Sequence, residues 1–409
     1  MTESTRLAWY KNSGPGALVA AAFIGPGTVT VCTLAGVEFG YDLLWVMLLS
    51  VLATMVLQEM SARVGIVTGR GLTQVIRDQL QSQPVARFAV MLLILAAIVV
   101  GNAAYEAGNI SGGRLGLETL LGISSAAGSR WLSLLIGLIA FALLYMGSYR
   151  VLERALISMV VLMSLAFVLA ALLTRPDPGA ILQGLLVPSL SDANLLTIVG
   201  LIGTTVVPYN LFLHASLVSE KWHSADDLPY ARRDTLVAVA IGGLVSMAII
   251  VCAAAINTSG ISNAADLALG LEPLFGSFAR TFLSVGLFAA GITSAITAPL
   301  AAAYVVRGCM GWPADLKHTG FRLVWMAILA IGITFSSLGI NPIDIIRFAQ
   351  VANGLTLPVV VAIVLWIMNS QSVLGSHINS KSHNVLGSII LAITVALGLR
   401  AMILVAASL

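Results

Sequence analysis

The chain has 409 residues, of which 58% are hydrophobic and only 10% are charged, and its net charge is +3. Soluble domains carry roughly 25% charged residues, so this composition excludes an ordinary soluble protein. Mean hydropathy is +0.98, and apolar runs of about 20 residues, the length that crosses a bilayer, recur from end to end. The sequence therefore predicts an all-α polytopic membrane protein.

Eleven membrane spans are predicted in chain order, joined by short connections within one transmembrane domain that covers residues 1–409. The stretches Thr174–Pro178 and Glu220–Asp234 are predicted loops because they are charged or contain proline. The approximate limits of the spans are 14–38, 44–66, 88–110, 131–147, 152–174, 196–219, 235–257, 278–305, 320–339, 343–368 and 386–407.

The distribution of positive charge predicts the orientation of these spans. If the N-terminus is cytoplasmic, 15 of the 21 lysine and arginine residues lie at inside ends and inside loops. Such a bias marks the cytoplasmic side, and an odd number of spans then places the C-terminus outside. Met1–Asn12 is polar and precedes a full-length span, so we predict no cleavable signal peptide. The expected location is the bacterial inner membrane.

The first and sixth spans each carry a proline near their middle. These prolines, Pro26 and Pro208, lie 182 residues apart in the segments Gly25–Thr28 and Val207–Asn210. A proline within a helix removes one backbone hydrogen bond and clashes with the preceding turn. In lipid the freed backbone groups need another partner. Paired broken helices in two repeats indicate a transporter binding site; the alternative is a pair of simple kinks.

Five spans in each half indicate an internal repeat. Spans 1–5 (about 14–174) form the first repeat, spans 6–10 (about 196–368) form the second, and residues 386–407 add one helix. An odd number of spans per repeat gives the two repeats opposite orientations. The broken spans then face each other at the midplane, as in the five-plus-five inverted repeat of the LeuT fold.

Four segments resemble the Nramp metal-ion transporters, in the order in which that family carries them. Leu57–Gly69 is similar to the end of the family's helix 2, and Asn210–Val218 to its helix 6b. Gly291–Pro299 is similar to helix 8, and Gln350–Pro358 to helix 10. The resemblance implies the LeuT fold and secondary-active, ion-coupled transport.

The two breaks depart from that family at the positions that hold its metal. The family carries Asp-Pro-Gly-Asn at the first break, and here the Asp and Asn positions are Gly25 and Thr28. It carries Met-Pro-His-Asn at the second break, and here the Met and His positions are Val207 and Tyr209. The resemblance places the family's backbone carbonyl ligand near Thr204.

These departures predict a neutral site with an altered substrate. Without the carboxylate and the thioether, little offsets the dehydration of a transition metal, whereas helix N-termini attract anions. We therefore expect a small anion, such as bicarbonate or a carboxylate. Two alternatives stay open: a divalent cation of the Mn, Fe or Mg type at an unusual site, and a sensor that does not transport. The predicted substrate-binding residues are Gly25, Gly27, Thr28, Thr204, Val207, Tyr209 and Asn210.

Polar residues in other spans are candidates for coupling and gating. Glu106 and His214 are candidate proton carriers, since ionisable groups within a membrane usually serve function. Thr293 and Ser294 in span 8 could donate oxygen ligands to sodium, and Asn353 in span 10 is a candidate gate residue. The alternative for each is a structural hydrogen bond within or between helices.

Several other functions are disfavoured. The sequence has no nucleophile–base pair, metal-ligand spacing or nucleotide motif, so we expect neither an enzyme nor an ATP-driven pump. No cofactor is expected beyond a coupling Na⁺ or H⁺. The expected partners are a small inorganic or organic solute and the lipid bilayer, with no nucleic acid. Glu59 and Arg63, one helical turn apart, predict a structural ion pair.

Overall fold

A computed structural model describes residues 24–123, 125–147, 150–256, 260–313 and 315–407. The beginning of the first predicted span, residues 14–23, lies outside these ranges. Short helical turns in the connections are left unnumbered, and a π-helical turn at Ala96–Val100 lies within α4. The main helices are α1 Pro26–Phe39, α2 Leu44–Thr68, α3 Leu72–Gln79, α4 Pro84–Leu121, α5 Ala126–Met146, α6 Arg150–Leu173, α7 Pro178–Leu186, α8 Leu195–Thr205, α9 Pro208–Lys221, α10 Leu228–Ala254, α11 Ala279–Met310, α12 Thr319–Ser336, α13 Pro342–Met368 and α14 Lys381–Ala407.

Ten helical stretches in the described part of the chain are long and apolar enough to cross a membrane. The consecutive helices α8 and α9 form one of them, Leu195–Lys221. Helix α1, with 14 residues, is the described part of the first predicted span. These helices coincide with the predicted spans, and the total of eleven remains a prediction because residues 14–23 are not described.

The packing of the helices follows the predicted repeat. Helix α1 of the first repeat packs on α10 of the second. The equivalent pair, with the two repeats exchanged, is α9 on α2, and these helices also pack together. In the same way, the contact of α4 with α13 is equivalent to that of α11 with α6. The contact of α4 with α12 is equivalent to that of α11 with α5. The central pair is α4 with α11. There Gly113 and Gly291 meet with no room for a side chain on Gly291, as is usual where membrane helices approach closely.

Two predicted boundaries were wrong. The third span was predicted to end near 110, but α4 continues to Leu121. The buried Arg114 makes this possible because its guanidinium donates to the backbone carbonyls of Ser336 and Ile340. Glu220–Asp234 was predicted as a loop, yet α9 continues to Lys221 and α10 begins at Leu228, after a short turn that a capping box starts.

The predicted ion pair near the C-terminal end of α2 is confirmed and is part of a larger network. Arg63 Nη2 lies 2.7 Å from Glu59 Oε2, and Arg232 of α10 donates to the other carboxylate oxygen at 2.8 Å. Arg63 also donates to Asn379 Oδ1 at 3.0 Å and to the carbonyl of His377 at 3.1 Å. The network therefore ties α2 to α10 and to the connection before α14.

Candidate functional site

The sixth span is broken as predicted. Helix α8 ends at Thr205 and α9 begins at Pro208, so two residues between them are not helical. A helical carbonyl normally accepts from the N–H four residues later. For Thr204 that residue is Pro208, which has no N–H. The carbonyl of Thr204 therefore has no helical donor, at the position where the family resemblance places a backbone ligand.

At the first break, α1 begins at Pro26 with Gly25 as its N-cap. Gly25 is extended, with φ −92° and ψ 178°, and its carbonyl accepts from Val29 N at 3.2 Å. Glycine has no side chain to cap the first-turn N–H groups, and these groups have no acceptor within the helix. The start of α1 therefore presents partial positive charge toward the break.

Two side chains join the breaks directly. The hydroxyl oxygens of Thr28 and Thr204 lie 2.9 Å apart, and both side chains are buried. The adjacent Thr205 is used differently, because its hydroxyl donates to the Leu201 carbonyl at 2.7 Å. Of these threonines, Thr28 and Thr204 thus form the contact that brings the two repeats together.

The start of α9 supplies the other predicted polar groups. The ring of Tyr209 packs edge-on against Tyr105 of α4, with centroids 5.4 Å apart. Both amide atoms of the buried Asn210 lack a hydrogen-bond partner in the described part of the chain. A buried amide without a partner costs free energy, so Asn210 is a natural ligand for a bound solute or water. Val207 is buried and offers no polar side-chain atom.

Sequence analysis missed a glutamine in this site. Gln350 of α13 packs on the first break so closely that a Cβ on Gly27 would collide with its carboxamide. Its Oε1 is buried with no hydrogen-bond partner among the described residues. Asn353, one turn later, faces α4, where its Oδ1 is 3.5 Å from the position of a Cβ on Gly101. The i, i+3 spacing of these two amides was the available signal, because it places both on one helix face.

The two proton candidates lie in different environments. Glu106 is fully buried, packs against Gly332 of α12, and accepts from Asn109 Nδ2 at 3.3 Å. His214 is fully buried on α9, and neither of its ring nitrogens has a hydrogen-bond partner among the described residues. No hydrogen bond joins Glu106 to His214, so any proton exchange between them needs an intermediary.

The sodium candidates on α11 differ in what their hydroxyls do. Thr293 Oγ1 donates to the carbonyl of Ala290 at 3.0 Å, which is a bond within its own helix. Ser294 Oγ is buried and has no hydrogen-bond partner in the described residues. Because a cation binds to oxygen lone pairs, both hydroxyl oxygens can still act as ligands, and of the two Ser294 Oγ is the one without a hydrogen-bond partner.

The donor set of the site is neutral and consists mostly of oxygen. Neither break contains a carboxylate, and the described residues hold no group of three or more His, Cys, Asp or Glu that could bind a metal. A thioether lies nearby, because Met47 Sδ is 3.4 Å from the Thr205 hydroxyl oxygen. Hydroxyl, amide and carbonyl oxygens suit hard ions, and they do not suit a tightly bound soft transition metal.

Comparison with known proteins supports the family resemblance. The model of the Nramp family, "Natural resistance-associated macrophage protein-like", matches residues 16–404. The chain is similar to the divalent metal cation transporter MntH of Verminephrobacter eiseniae, with 30% identity over 383 residues, 90% of this chain and 83% of that protein. The MntH of Chromohalobacter salexigens is 29% identical over 408 residues, which are 96% of this chain and 91% of that protein.

Solved structures support the predicted fold. A manganese transporter of Eremococcus coleocola, solved with an aromatic bis-isothiourea compound, has a TM-score of 0.77 and 21% identity, covering 98% of this chain and 88% of that one. MhsT with L-phenylalanine has a TM-score of 0.65 and 14% identity, covering 95% and 98%. These likenesses confirm the LeuT-type fold. The chain belongs to the Nramp family of membrane transporters.

Proposed function

We propose that this chain is a secondary-active transporter of a divalent metal cation. Its curated relatives are named divalent metal cation transporters. The observation that carries the proposal is the contact between Thr28 and Thr204, 2.9 Å between oxygens, beside the carbonyl that Pro208 leaves without a helical donor. Oxygen atoms from both repeats thus meet at one point, and such oxygens are ligands for hard cations.

The neutral ligands favour a hard cation that keeps part of its water shell. Gly25 and Val207 supply neither the carboxylate nor the thioether of the family, so little offsets the loss of all bound water. Mg²⁺ usually retains several waters in proteins, and its ligands are oxygens. The unpartnered amide of Asn210 can orient such a water. We therefore propose a cargo of the Mg²⁺ type, with weak binding of Mn²⁺ and Fe²⁺.

A small anion is the second candidate, and one observation favours it. Helices α1 and α9 both begin at the site, with Gly25 and Val207 as N-caps that have no capping side chain. Their first-turn N–H groups attract negative charge, and neither break holds an acidic residue. Sequence analysis favoured bicarbonate or a carboxylate for this reason, but the names of the relatives support the cation.

Transport by purified full-length protein in liposomes separates these candidates. We expect uptake of Mg²⁺, read with an indicator trapped inside, and weaker uptake of Mn²⁺. Empty liposomes are the control for leakage. Uptake of bicarbonate or a small carboxylate without any divalent cation flux would contradict the cation proposal and support the anion. Binding of a solute without uptake of any would instead support the sensor.

We also propose that transport is coupled to a second ion. Sodium at Ser294 and Thr293 is one version, and protonation of Glu106 or His214 is the other. The unpartnered Ser294 hydroxyl supports the first. The complete burial of Glu106 and His214 supports the second, because an ionisable group within a membrane usually serves function.

A further inference from the structure

A second cavity, separate from the helix breaks, has a volume of about 180 Å³. Residues of α3, α9, α11 and the turn after α11 line it, and none of the break residues is among them. It lies at the end of the helix bundle where α2 leads into α3. The distribution of positive charge predicts that this end faces the cytoplasm.

Two guanidinium groups line this cavity, which we call the inner cavity. Arg77 Nη1 donates to the carbonyl of Gly308 at 3.2 Å, and its Nη2 lies 3.0 Å from Asp78 Oδ1. The guanidinium of Arg307 lies over the ring of Tyr304, 4.6 Å from the centroid. Arg307 makes no ion pair with a carboxylate within the described part of the chain. It therefore keeps donors for a ligand.

The start of α3 also faces the inner cavity. Gly71 is the N-cap of this helix and contributes no capping side chain, and the backbone of Gly71 lines the cavity together with Thr73 and Gln74 of the first turn. First-turn N–H groups have no acceptor within their helix and carry partial positive charge. They add donors to the same space as the two arginines.

Nearby carboxylates do not neutralise the inner cavity. Asp78 is shared by Arg77 and Arg70, the latter at 3.1 Å. The exposed Glu220 accepts from the Tyr304 hydroxyl at 3.4 Å. The three arginines Arg70, Arg77 and Arg307 thus face two carboxylates.

We propose that the inner cavity binds an oxyanion of the phosphate class. Guanidinium groups bind phosphate oxygens in pairs of parallel hydrogen bonds, and a helix N-terminus adds backbone donors. The phosphate group can belong to a free ion or to the headgroup of an anionic lipid, since aromatic residues of the cavity suit a membrane surface. This proposal does not depend on which cargo the helix breaks carry.

Helix α9 carries residues of both the inner cavity and the proposed transport site. Ser216, one of the residues lining the inner cavity, lies on α9 six residues after Asn210, or about 9 Å along the helix. An oxyanion held by Arg77 of α3 and Arg307 of α11 also contacts α9 there. Its binding therefore stabilises one arrangement of these three helices, and differential affinity for that arrangement shifts the conformational equilibrium.

Thermal unfolding of the full-length protein tests this proposal with inorganic phosphate at constant ionic strength, set with sodium chloride. Arg307→Gln removes one guanidinium, and Gln74→Glu adds a negative charge to the first turn of α3. Lys317→Gln is the matched control, because Lys317 is exposed on the same end of the bundle outside the cavity. We expect saturable stabilisation of the wild type and the control, and about tenfold weaker affinity in both cavity variants.

A lipid arm identifies the source of the phosphate group. The same four proteins are delipidated and reconstituted in vesicles of phosphatidylcholine alone or with phosphatidylglycerol. If the headgroup is the ligand, phosphatidylglycerol stabilises the wild type and Lys317→Gln but neither cavity variant. If free phosphate is the ligand, added phosphate stabilises the wild type and Lys317→Gln, but neither cavity variant, in both kinds of vesicle. Equal responses of all four proteins to both ligands, or no response of the wild type, would overturn the proposal.

Discussion

The hydroxyl oxygens of Thr28 and Thr204 lie 2.9 Å apart although 176 residues separate them in the chain. Thr28 lies two residues after Pro26, where α1 begins, and Thr204 lies four residues before Pro208, where the sixth span is broken. The contact therefore exists only when the two repeats are assembled in opposite orientation, and neither half of the chain holds the site alone. The same assembly directs the starts of α1 and α9 and the end of α8 at one buried point.

Replacing Thr28 by valine tests whether this hydroxyl pair binds the cargo. The change keeps the shape of the side chain and removes one ligand, so the KM for uptake should rise about fivefold or more, equivalent to about 1 kcal/mol. Thr394→Val is the matched control, because the buried Thr394 hydroxyl lies on α14 and donates within its own helix to the Ile390 carbonyl at 2.9 Å. Uptake in liposomes measures both. An equal effect of the two variants would argue against a specific role of Thr28.

A side chain on Gly27 should disable transport by displacing Gln350. A Cβ at this position would collide with the carboxamide of Gln350, which is the end of a flexible side chain and would have to turn away from the first break. We expect Gly27→Ala to lose most uptake while the protein still purifies as a monodisperse species. Gln350→Ala in the same chain should relieve the collision and restore part of the stability seen in thermal unfolding. If the effects of the two substitutions on thermal stability simply add, the close contact between Gly27 and Gln350 would be contradicted.

The coupling ion can be assigned with two variants. If sodium binds at α11, the double change Thr293→Ala and Ser294→Ala should abolish the sodium dependence of uptake, because both hydroxyl ligands are lost. Unchanged sodium stimulation would move the assignment to the proton candidates. In that case Glu106→Gln, which keeps the shape of the side chain and cannot release a proton, should flatten the dependence of uptake on pH.

The ion network of Glu59, Arg63 and Arg232 should contribute measurably to stability. Glu59→Gln removes the charge that both Arg63 and Arg232 contact, and it leaves the nearly buried Arg63 with neutral partners only. We expect a loss of about 1–3 kcal/mol in the free energy of unfolding, measured by denaturation in mixed detergent micelles. Asp192→Asn is the control, because it breaks an exposed pair with Arg400, and exposed pairs contribute little. A larger effect of the control would contradict this assignment.

Local chemistry made much of the fold predictable from sequence. Pro208 lacks an N–H, so the break in the sixth span follows from the residue itself, and the structure places it there. The spacing of Glu59 and Arg63 likewise predicted their ion pair. The bounds of α4 were less accessible, because the buried Arg114 donates to the carbonyls of Ser336 and Ile340, more than 200 positions away, as well as pairing with Glu118 in its own helix.

Contacts across the bundle account for what sequence analysis missed at the site. Gln350 lies beside Gly27 because α13 packs on α1, and nothing near either residue in the chain indicates that pairing. The sequence also indicated Glu106 and His214 as proton carriers, but no hydrogen bond joins them in the structure, and α4 presents Glu106 to Gly332 of α12. Such directions depend on the assembled helices.

The substitution Gly25→Asp tests the proposed cargo most directly. Gly25 is an N-cap with extended backbone, φ −92° and ψ 178°, which aspartate adopts readily and favours at helix starts. The change adds a negative charge where the breaks meet, and charges interact strongly in a low-dielectric cavity. For a divalent cation cargo, we expect calorimetry on the purified protein to show equal or tighter Mg²⁺ binding than in the wild type. If the wild type instead binds bicarbonate or a carboxylate and the variant loses that binding, the result would contradict the cation proposal.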